Sequence, residues 1–427
     1  MVNHRPHQKA LHVLLCCRYF PPEIGTAASL FFELAEELVR QGHDVTVLTG
    51  FPWYNLGDTP ERYRSGVFRR EKVNNIEIIR LRVSCPGTKK FRLFIGHFFS
   101  PLSIFIGSFF VRRFDIIYGY SPPLLVGLAG IAISTLRRKP FVLGLQDLHP
   151  QAYIDQGILT NKIAINILRK IEAFIYRRSS AVTVHSDGNR NYVHEVLGTA
   201  LLSKISVVEN WVNMGVLEPR DKNSKILAQA GLEDCFVVGY AGTLGLSQGS
   251  SILIEAANRL RKFERVRFFI VGDGVEKAQL IDKAKEYGLA NIVFWDMQPV
   301  ESYPEIVSVF DAGIVTLNSK VKTPVVPSKI ISLMALGKPI VVNAPLNSEC
   351  ARVVRESRAG LLSGAGDVEE FTNSVLELYR TPELLEQLGD NGARFARERF
   401  GIEQNSRKIE KILLRSLGES GQGRVIR

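Results

Sequence analysis

Short apolar runs alternate with helical patterns along this chain, and the alternation starts twice. The first run, "LHVLLCC", is brief and continuously apolar, which suits a strand buried on both faces. The stretch from Ala27 to Gln41 then places Leu30, Phe31, Leu34, Leu38 and Val39 at helical spacing, and Gly42 follows as a stop. "DVTVLTG", "IEIIRLRV", "FDIIYGY", "KPFVLGLQD" and "SAVTVHS" read as further strands with helical stretches between them. A βαβα rhythm implies a parallel sheet with helices on both faces.

The rhythm restarts with "CFVVGYAG", "VRFFIVGDG", "NIVFWD", "DAGIVTL" and "KPIVVNA". Helical patterns fall at Ser250–Lys262, Val275–Tyr287, Lys329–Leu336 and Val368–Tyr379. The polar stretch "NWVNMGVLEPRDKNSK" reads as the linker between the halves. At 427 residues the chain is long for one domain. The expected fold class is α/β, with two doubly wound Rossmann-like domains: residues 1–215, residues 216–395, and a helix over 396–427 packing back on the first. Such folds bind ligands beyond the carboxyl ends of their strands, so the expected site is a cleft where the two domains face each other.

Charge is uneven. Residues 1–215 hold 26 Lys and Arg against 16 Asp and Glu, a net of +10, whereas residues 216–427 hold 28 against 27. A basic first half suggests an anionic partner. Nucleic acid is disfavoured, because the basic residues do not alternate with aromatics along one element. The five cysteines are scattered without metal spacing and read as free thiols of a reducing compartment.

The segment "LFIGHFFSPLSIFIGSFFV", Leu93–Val111, approaches bilayer-spanning length, with Lys89, Lys90 and Arg92 before it and Arg112 and Arg113 after it. His97, Ser100, Pro101 and Ser103 in its middle, and its place between strands of one sheet, argue against a span. It reads as a helix in the membrane interface with basic flanks on anionic lipid, or as a buried core helix.

Four stretches carry candidate chemistry. "YFPPEIGTAASLFF" puts Gly25 and Thr26 at a helix start, where bare backbone amides attract anions. "GLQDLHPQAY" places Asp147 and His149 at the end of a strand, as general bases or substrate hydrogen-bonders. "GYAGTLGLSQG" follows the first strand of the second half, with Gly242 and Gly245 letting amides approach a phosphate. It contains neither Lys nor Arg. In "VVPSKIISLMALGKPIVV", Lys329 falls in the first turn of a helix, against the dipole preference, which makes sense if an anion docks there too. "IVGDGVE" is a strand entering a glycine-flanked turn, a weak signal alone.

Together and in order, these motifs resemble glycosyltransferase family 4 of the GT-B fold, over roughly residues 11–400. The likeness is to the bacterial subgroup that builds surface polysaccharides, including colanic acid and fucosamine transferases. "YFPPEIGTAAS", "YSPPLLVGLAG", "LQDLHPQAYIDQGIL", "VVENWVN" and "VPSKIISLMALGKPIVV" carry it, with Asn210-Trp211-Val212-Asn213 and Pro327-Ser328-Lys329 the most specific. The resemblance implies a retaining, metal-independent enzyme without a cofactor. Its second domain would bind a nucleotide-sugar donor, uridine-based, and its first an acceptor. Many family members keep an Arg and a Lys where this chain has Thr243 and Gln248, and two Glu where it has Pro324 and Ser332.

The expected function is therefore transfer of a sugar to a polyprenyl-diphosphate-linked glycan acceptor, at the cytoplasmic face of the membrane. Asp147 and His149 would act on the acceptor or sugar. Gly25, Thr26, Gly242, Thr243, Gln248, Ser328, Lys329 and Ser332 would hold the donor. A nucleotide-sugar epimerase of the same architecture, or a non-catalytic nucleotide-sugar-binding protein, are the alternatives.

Overall fold

The computed structural model describes residues 10–23, 25–52, 60–82 and 99–422. It divides into two compact units. The first holds residues 1–153, 159–210 and 402–427; the second holds residues 154–158 and 211–401.

The first unit runs β1 (His12–Cys16), α1 (Thr26–Arg40), β2 (Asp44–Gly50), β3 (Phe68–Val73), β4 (Ile76–Leu81), α2 (residues 99–107), β5 (Ile116–Ser121), α3 (Val126–Arg137), β6 (Phe141–Leu145), α4 (Gln151–Asp155, ending in the second unit), α5 (Lys162–Arg178), β7 (Ala181–Val184), α6 (Asp187–Leu197) and β8 (Ile205–Val207). Its sheet has the order β3-β4-β2-β1-β5-β6-β7-β8. Every neighbouring pair is parallel except β3 with β4, so the expected parallel sheet carries one antiparallel edge hairpin.

The second unit runs α7 (Ser224–Ala230), β9 (Phe236–Ala241), α8 (Ser251–Arg259), β10 (Val266–Val271), α9 (Lys277–Glu286), β11 (Ile292–Trp295), α10 (Tyr303–Ser308), β12 (Ala312–Thr316), α11 (Ser328–Ala335), β13 (Ile340–Asn343), α12 (Glu349–Ser357), β14 (Gly360–Ser363), α13 (Val368–Arg380) and α14 (Pro382–Arg399). Its all-parallel sheet has the order β11-β10-β9-β12-β13-β14. The period of two assigns the cores. Phe268 and Ile270 of β10 enter the core on one face, Phe269 and Val271 the core on the other. Each such side chain contributes about 1.5–3 kcal/mol on leaving water.

α15 (Ile402–Gln422) packs on α1, and His43 Nε2 lies 3.0 Å from Glu410 Oε1. The stretch read as a linker is partly structural: Trp211 and Val212 are buried, and Val212 donates to Phe400 O at 2.9 Å.

Strand order reverses between β1 and β5 in the first sheet and between β9 and β12 in the second. Parallel sheets leave their ligand crevice at such points, beyond the carboxyl ends. The loops after β9 and β12 thus border one candidate site, and those after β1 and β5 border another.

Of Leu93–Val111, residues 93–98 lie outside the described residues. The rest reverses the usual helix pattern. Ser100, Ser103, Ile104 and Ser108 face the sheet, while Phe99, Leu102, Ile106 and Phe109 are 46%, 51%, 42% and 59% exposed. Phe105 is instead partly packed on the core. Among the described residues no helix is long and apolar enough to cross a membrane.

Candidate functional site

In the second unit, β9 delivers the chain into the turn Gly242–Gly249. Gly242 has φ +132°, and a Cβ there would lie 2.5 Å from Lys329 Cε. The turn is held against the one after β10: Gly242 donates to Val271 O at 2.8 Å and Leu244 to Asp273 O at 2.9 Å. A Cβ on Gly272 would meet Gly242 O at 2.0 Å, and one on Gly274 would meet Leu244 O at 2.1 Å. The two glycines of the weak motif "IVGDGVE" therefore let the second turn lie directly on the first.

Lys329 reaches across this turn from α11. Its Nζ donates to the Tyr240 hydroxyl at 2.5 Å and to Thr243 O at 3.4 Å, and sits 3.9 Å from the Tyr240 ring centre. Burial pushes its pKa down to about 7, and no carboxylate opposes that shift. Pro327 occupies the N-cap position of α11, no side chain caps the helix, and no acidic residue lies in its first turn. The amides of that end and the Lys329 ammonium both leave positive charge unanswered by any acidic residue of the helix's first turn. An anion bound there would complete both.

Two other expected donor residues are engaged within the protein. Gln248 Oε1 accepts from Gly245 N at 3.1 Å and Ser247 Oγ at 3.2 Å, so this carboxamide braces the turn. Ser332 shares a side-chain hydrogen bond with the buried Tyr303. Thr243 is exposed, and its carbonyl also accepts from Tyr240 Oη at 2.6 Å. Gly242, Thr243, Gln248, Ser328, Lys329 and Ser332 thus fall on one turn and one helix on either side of the strand-order reversal.

In the first unit, Asp147 and His149 follow β6. Gln146, just before them, donates through Nε2 to Asn210 Oδ1 at 2.7 Å, so the "NWVN" motif anchors this turn. Desolvation raises the Asp147 carboxyl above the usual carboxylate range, with the neighbouring His185 opposing it; the side chain itself is open to water. His185 Nε2 donates to Gln146 O at 2.9 Å. The His149 imidazole is buried, which pushes it down to about 4, and it stacks on Tyr153 with ring centres 4.2 Å apart. Its Nδ1 has no hydrogen-bond partner. Near neutral pH this ring is uncharged, so it suits a hydrogen bond to a neutral hydroxyl better than proton abstraction.

Gly25 and Thr26 sit at the exposed start of α1, which has neither a side-chain cap nor an acidic first turn. Tyr153 lies within electrostatic reach of both Tyr19 and Asp147, so the turns after β1 and β6 converge on it. Among the described residues no three His, Cys, Asp or Glu side chains gather as a metal site.

Two family models together span most of the chain. "Glycosyltransferase Family 4" matches residues 27–215, and "Glycosyl transferases group 1" matches residues 222–395. The chain belongs to the glycosyltransferase family. WcaI of Escherichia coli K12, described as a glycosyl transferase of colanic acid biosynthesis, is 27% identical over 342 residues, covering 78% of this chain and 83% of that protein. The Anabaena protein Alr3699/HepE, crystallised with UDP, matches with a TM-score of 0.70 at 19% identity, covering 94% of this chain and 99% of that one. Sucrose-phosphate synthase from Thermosynechococcus elongatus matches with a TM-score of 0.75 at 17% identity, covering 96% and 100%. The two structures share the GT-B fold.

Several groups in this glycosyltransferase escaped the sequence reading. Tyr240 and Tyr303 each meet a candidate donor residue. Arg80 is buried at the carboxyl end of β4. It donates from Nε to Glu71 at 2.6 Å, from Nη2 to Pro21 O at 2.5 Å and from Nη1 to Gly50 O at 3.3 Å. It thereby braces the turn that leads to Gly25. The one available signal was a cation near the end of a mostly apolar strand, "IEIIRL".

Proposed function

We propose that this glycosyltransferase moves a sugar from a uridine-diphosphate donor to a polyprenyl-diphosphate-linked glycan, in building a surface polysaccharide. The observation that carries the donor half is Lys329: a half-buried ammonium without a carboxylate, lying over Gly242 beside an uncapped helix end. Binding a diphosphate there would offset its desolvation and match the charge that builds on the leaving group. UDP in the HepE crystal and the colanic acid assignment of WcaI support the donor and the pathway class. The outward apolar face of α2 supports a lipid-borne acceptor, met by the protein as a peripheral partner of the cytoplasmic membrane face.

The chain's own residues supply positioning and electrostatics. Lys329 and the first amides of α11 would hold the diphosphate before and after the bond to the sugar breaks. Asp147, whose carboxyl is raised, and the uncharged His149 would orient the acceptor hydroxyl or the sugar. Retention of anomeric configuration would follow if the departing diphosphate, held by Lys329, takes the acceptor proton on the same face. No metal ion or cofactor is needed in this reading.

The test incubates full-length protein with radiolabelled UDP-glucose, UDP-galactose and UDP-N-acetylglucosamine, with and without a polyprenyl diphosphate glycan, in chelator. The expected result is label in the organic phase for one donor, dependent on the lipid. Binding of every donor without transfer, or an epimerised sugar nucleotide without lipid, would overturn the reading.

A further inference from the structure

A second feature of the first unit lies outside the donor and acceptor turns. The inner face of α5 is fixed by burial of Glu172, Ile175 and Tyr176, with Tyr176 Oη donating to Glu172 Oε1 at 2.9 Å. Its rotation is therefore set, and so is its outward face. There Arg169, Lys170, Ala173, Phe174, Arg177 and Arg178 line a shallow groove of about 630 Å³. Their spacing, with steps of one, three and four residues, is that of a single helical stripe. The small Ala173 lies between two pairs of cations, about 11–12 Å apart along the axis at 1.5 Å per residue.

Arg169 lies within electrostatic reach of Glu172, while the other three cations meet no acidic side chain among the described residues. The one carboxylate on α5, Glu172, is turned inward, and among the described residues Lys170, Arg177 and Arg178 make no ion pair. The same outer surface exposes Ile163, Ile167 and Phe174 at 72%, 53% and 48%. Basic heads beside unburied aliphatic and aromatic groups make an amphipathic surface of the kind that lies on anionic lipid. A second copy fits poorly, since a twofold contact would press this positive stripe against itself. Nucleic acid would leave the two isoleucines unexplained.

Position supports the same partner. Ile104 of α2, Val126 and Ile133 of α3, and Ile175 and Tyr176 of α5 enter one core on one face of the sheet. Arg137 at the end of α3 donates to Val111 O at 3.1 Å and Arg112 O at 3.0 Å, tying that layer together beyond α2. The outer faces of α2 and α5 therefore belong to one layer of helices and can meet one plane together.

We propose that the outward face of α5 is a binding surface for anionic phospholipid, with Lys170, Arg177 and Arg178 on the headgroup phosphates and Phe174 at the acyl boundary. This deepens the membrane association put forward above. It divides the contact into an apolar part on α2 and a charge-selective part on α5.

The test sediments full-length protein with vesicles of phosphatidylcholine alone or with about 30 mol% phosphatidylglycerol. Wild-type protein should favour the anionic vesicles, and the preference should fade with salt. The triple variant Lys170→Gln, Arg177→Gln, Arg178→Gln should lose about a hundredfold in affinity for them, from roughly 1 kcal/mol per basic group. Phe174→Trp should show an emission blue-shift on anionic vesicles alone. The variant Leu102→Ser, Ile106→Ser should weaken both vesicle types and keep the anionic preference. Equal binding to both vesicle types, or undiminished anionic binding by a correctly folded triple variant, would overturn the α5 surface and leave the α2 contact standing. Binding of wild-type protein to neither would overturn membrane association altogether.

Discussion

Replacing Lys329 by Met should separate stability from donor affinity, with opposite signs. The ammonium is held by one hydroxyl, one carbonyl and the Tyr240 ring, and no carboxylate shares its burial. A diphosphate oxygen would give it a charge-assisted hydrogen bond of about 1.5–3 kcal/mol. Its loss corresponds to roughly a ten- to 150-fold rise in the Kd for UDP. Isothermal titration calorimetry from pH 7 to 9 measures this, in a range where the terminal phosphate is largely ionised, its second pKa being about 6. The Lys329 pKa of about 7 adds a signature. UDP binds the charged form, so wild-type affinity should fall by up to tenfold per unit as pH rises above 7. In Lys329→Met that slope should vanish.

Stability should move the other way. The folded-state pKa lies below the unfolded value of about 10.4. Folding therefore opposes the proton, fully below pH 7 and progressively less from there to about pH 10. Lys329→Met removes the penalty, so its melting temperature should exceed that of wild type at pH 6, and the gap should close toward pH 10. A variant that binds UDP as tightly as wild type, with the same pH slope, would refute the assignment and move the diphosphate elsewhere.

Two further outcomes follow from the first unit. Arg80→Leu leaves the half-buried Glu71 with Tyr63 and Arg69 only. Burial pushes the Glu71 carboxyl up, and Arg80 and Tyr63 more than offset it, so the variant should unfold about 1–3 kcal/mol more easily in urea at pH 7. A loss below about 1 kcal/mol would mean that the pair is not the brace of the Pro21 turn. Asp147→Asn should lower kcat in the lipid-transfer assay while the Kd for UDP stays within about twofold, because Asp147 belongs to the first unit and the proposed diphosphate site around Lys329 to the second. An unchanged kcat would remove Asp147 from the chemistry.

Much of this architecture was legible because buried parallel strands must be apolar throughout. "FVVGYA", "VRFFIV" and "AGIVT" could hardly be anything else, and each is a strand. The elements that escaped are those whose surroundings relax that demand. β3, "FRREKV", is an edge strand wet on both faces, so it shows no apolar alternation. β8, "ISV", and β14, "GLLS", each carry only two apolar residues, too few for an apolar run to show. The site divides the same way. Lys329 stood out as a cation at a helix start, a local anomaly. That Tyr240 would receive it, that Gly272 would admit Gly242, and that Gln248 would fold inward depend on residues brought together by strand order, which no local pattern records.

α2 shows why periodicity alone could not choose between membrane and core. Residues 99, 102, 106 and 109 lie on one face and residues 100, 103, 104 and 107 on another, and either could have met the sheet. The buried face is the one with the smaller side chains. A Cβ on Gly107 would come within 2.9 Å of Leu81 and 3.3 Å of Leu48, so the helix approaches the strands closely there. Two of the inward serines are satisfied at once by their own helix, Ser103 Oγ donating to Ser100 O at 2.9 Å and Ser108 Oγ to Phe105 O at 2.6 Å, and so bury at little cost, whereas the buried Ser100 Oγ has no hydrogen-bond partner among the described residues. The four large apolar groups stay outside, although turning them inward would have gained about 1.5–3 kcal/mol each. Close packing at Gly107 offsets part of that loss, and an apolar surface outside the protein could supply the rest. An unburied stripe of this size marks a contact surface. Its neighbours in the chain are Arg112 and Arg113, and the cations of α5 stand in the same helical layer. Those charges favour an anionic membrane over a purely apolar protein groove.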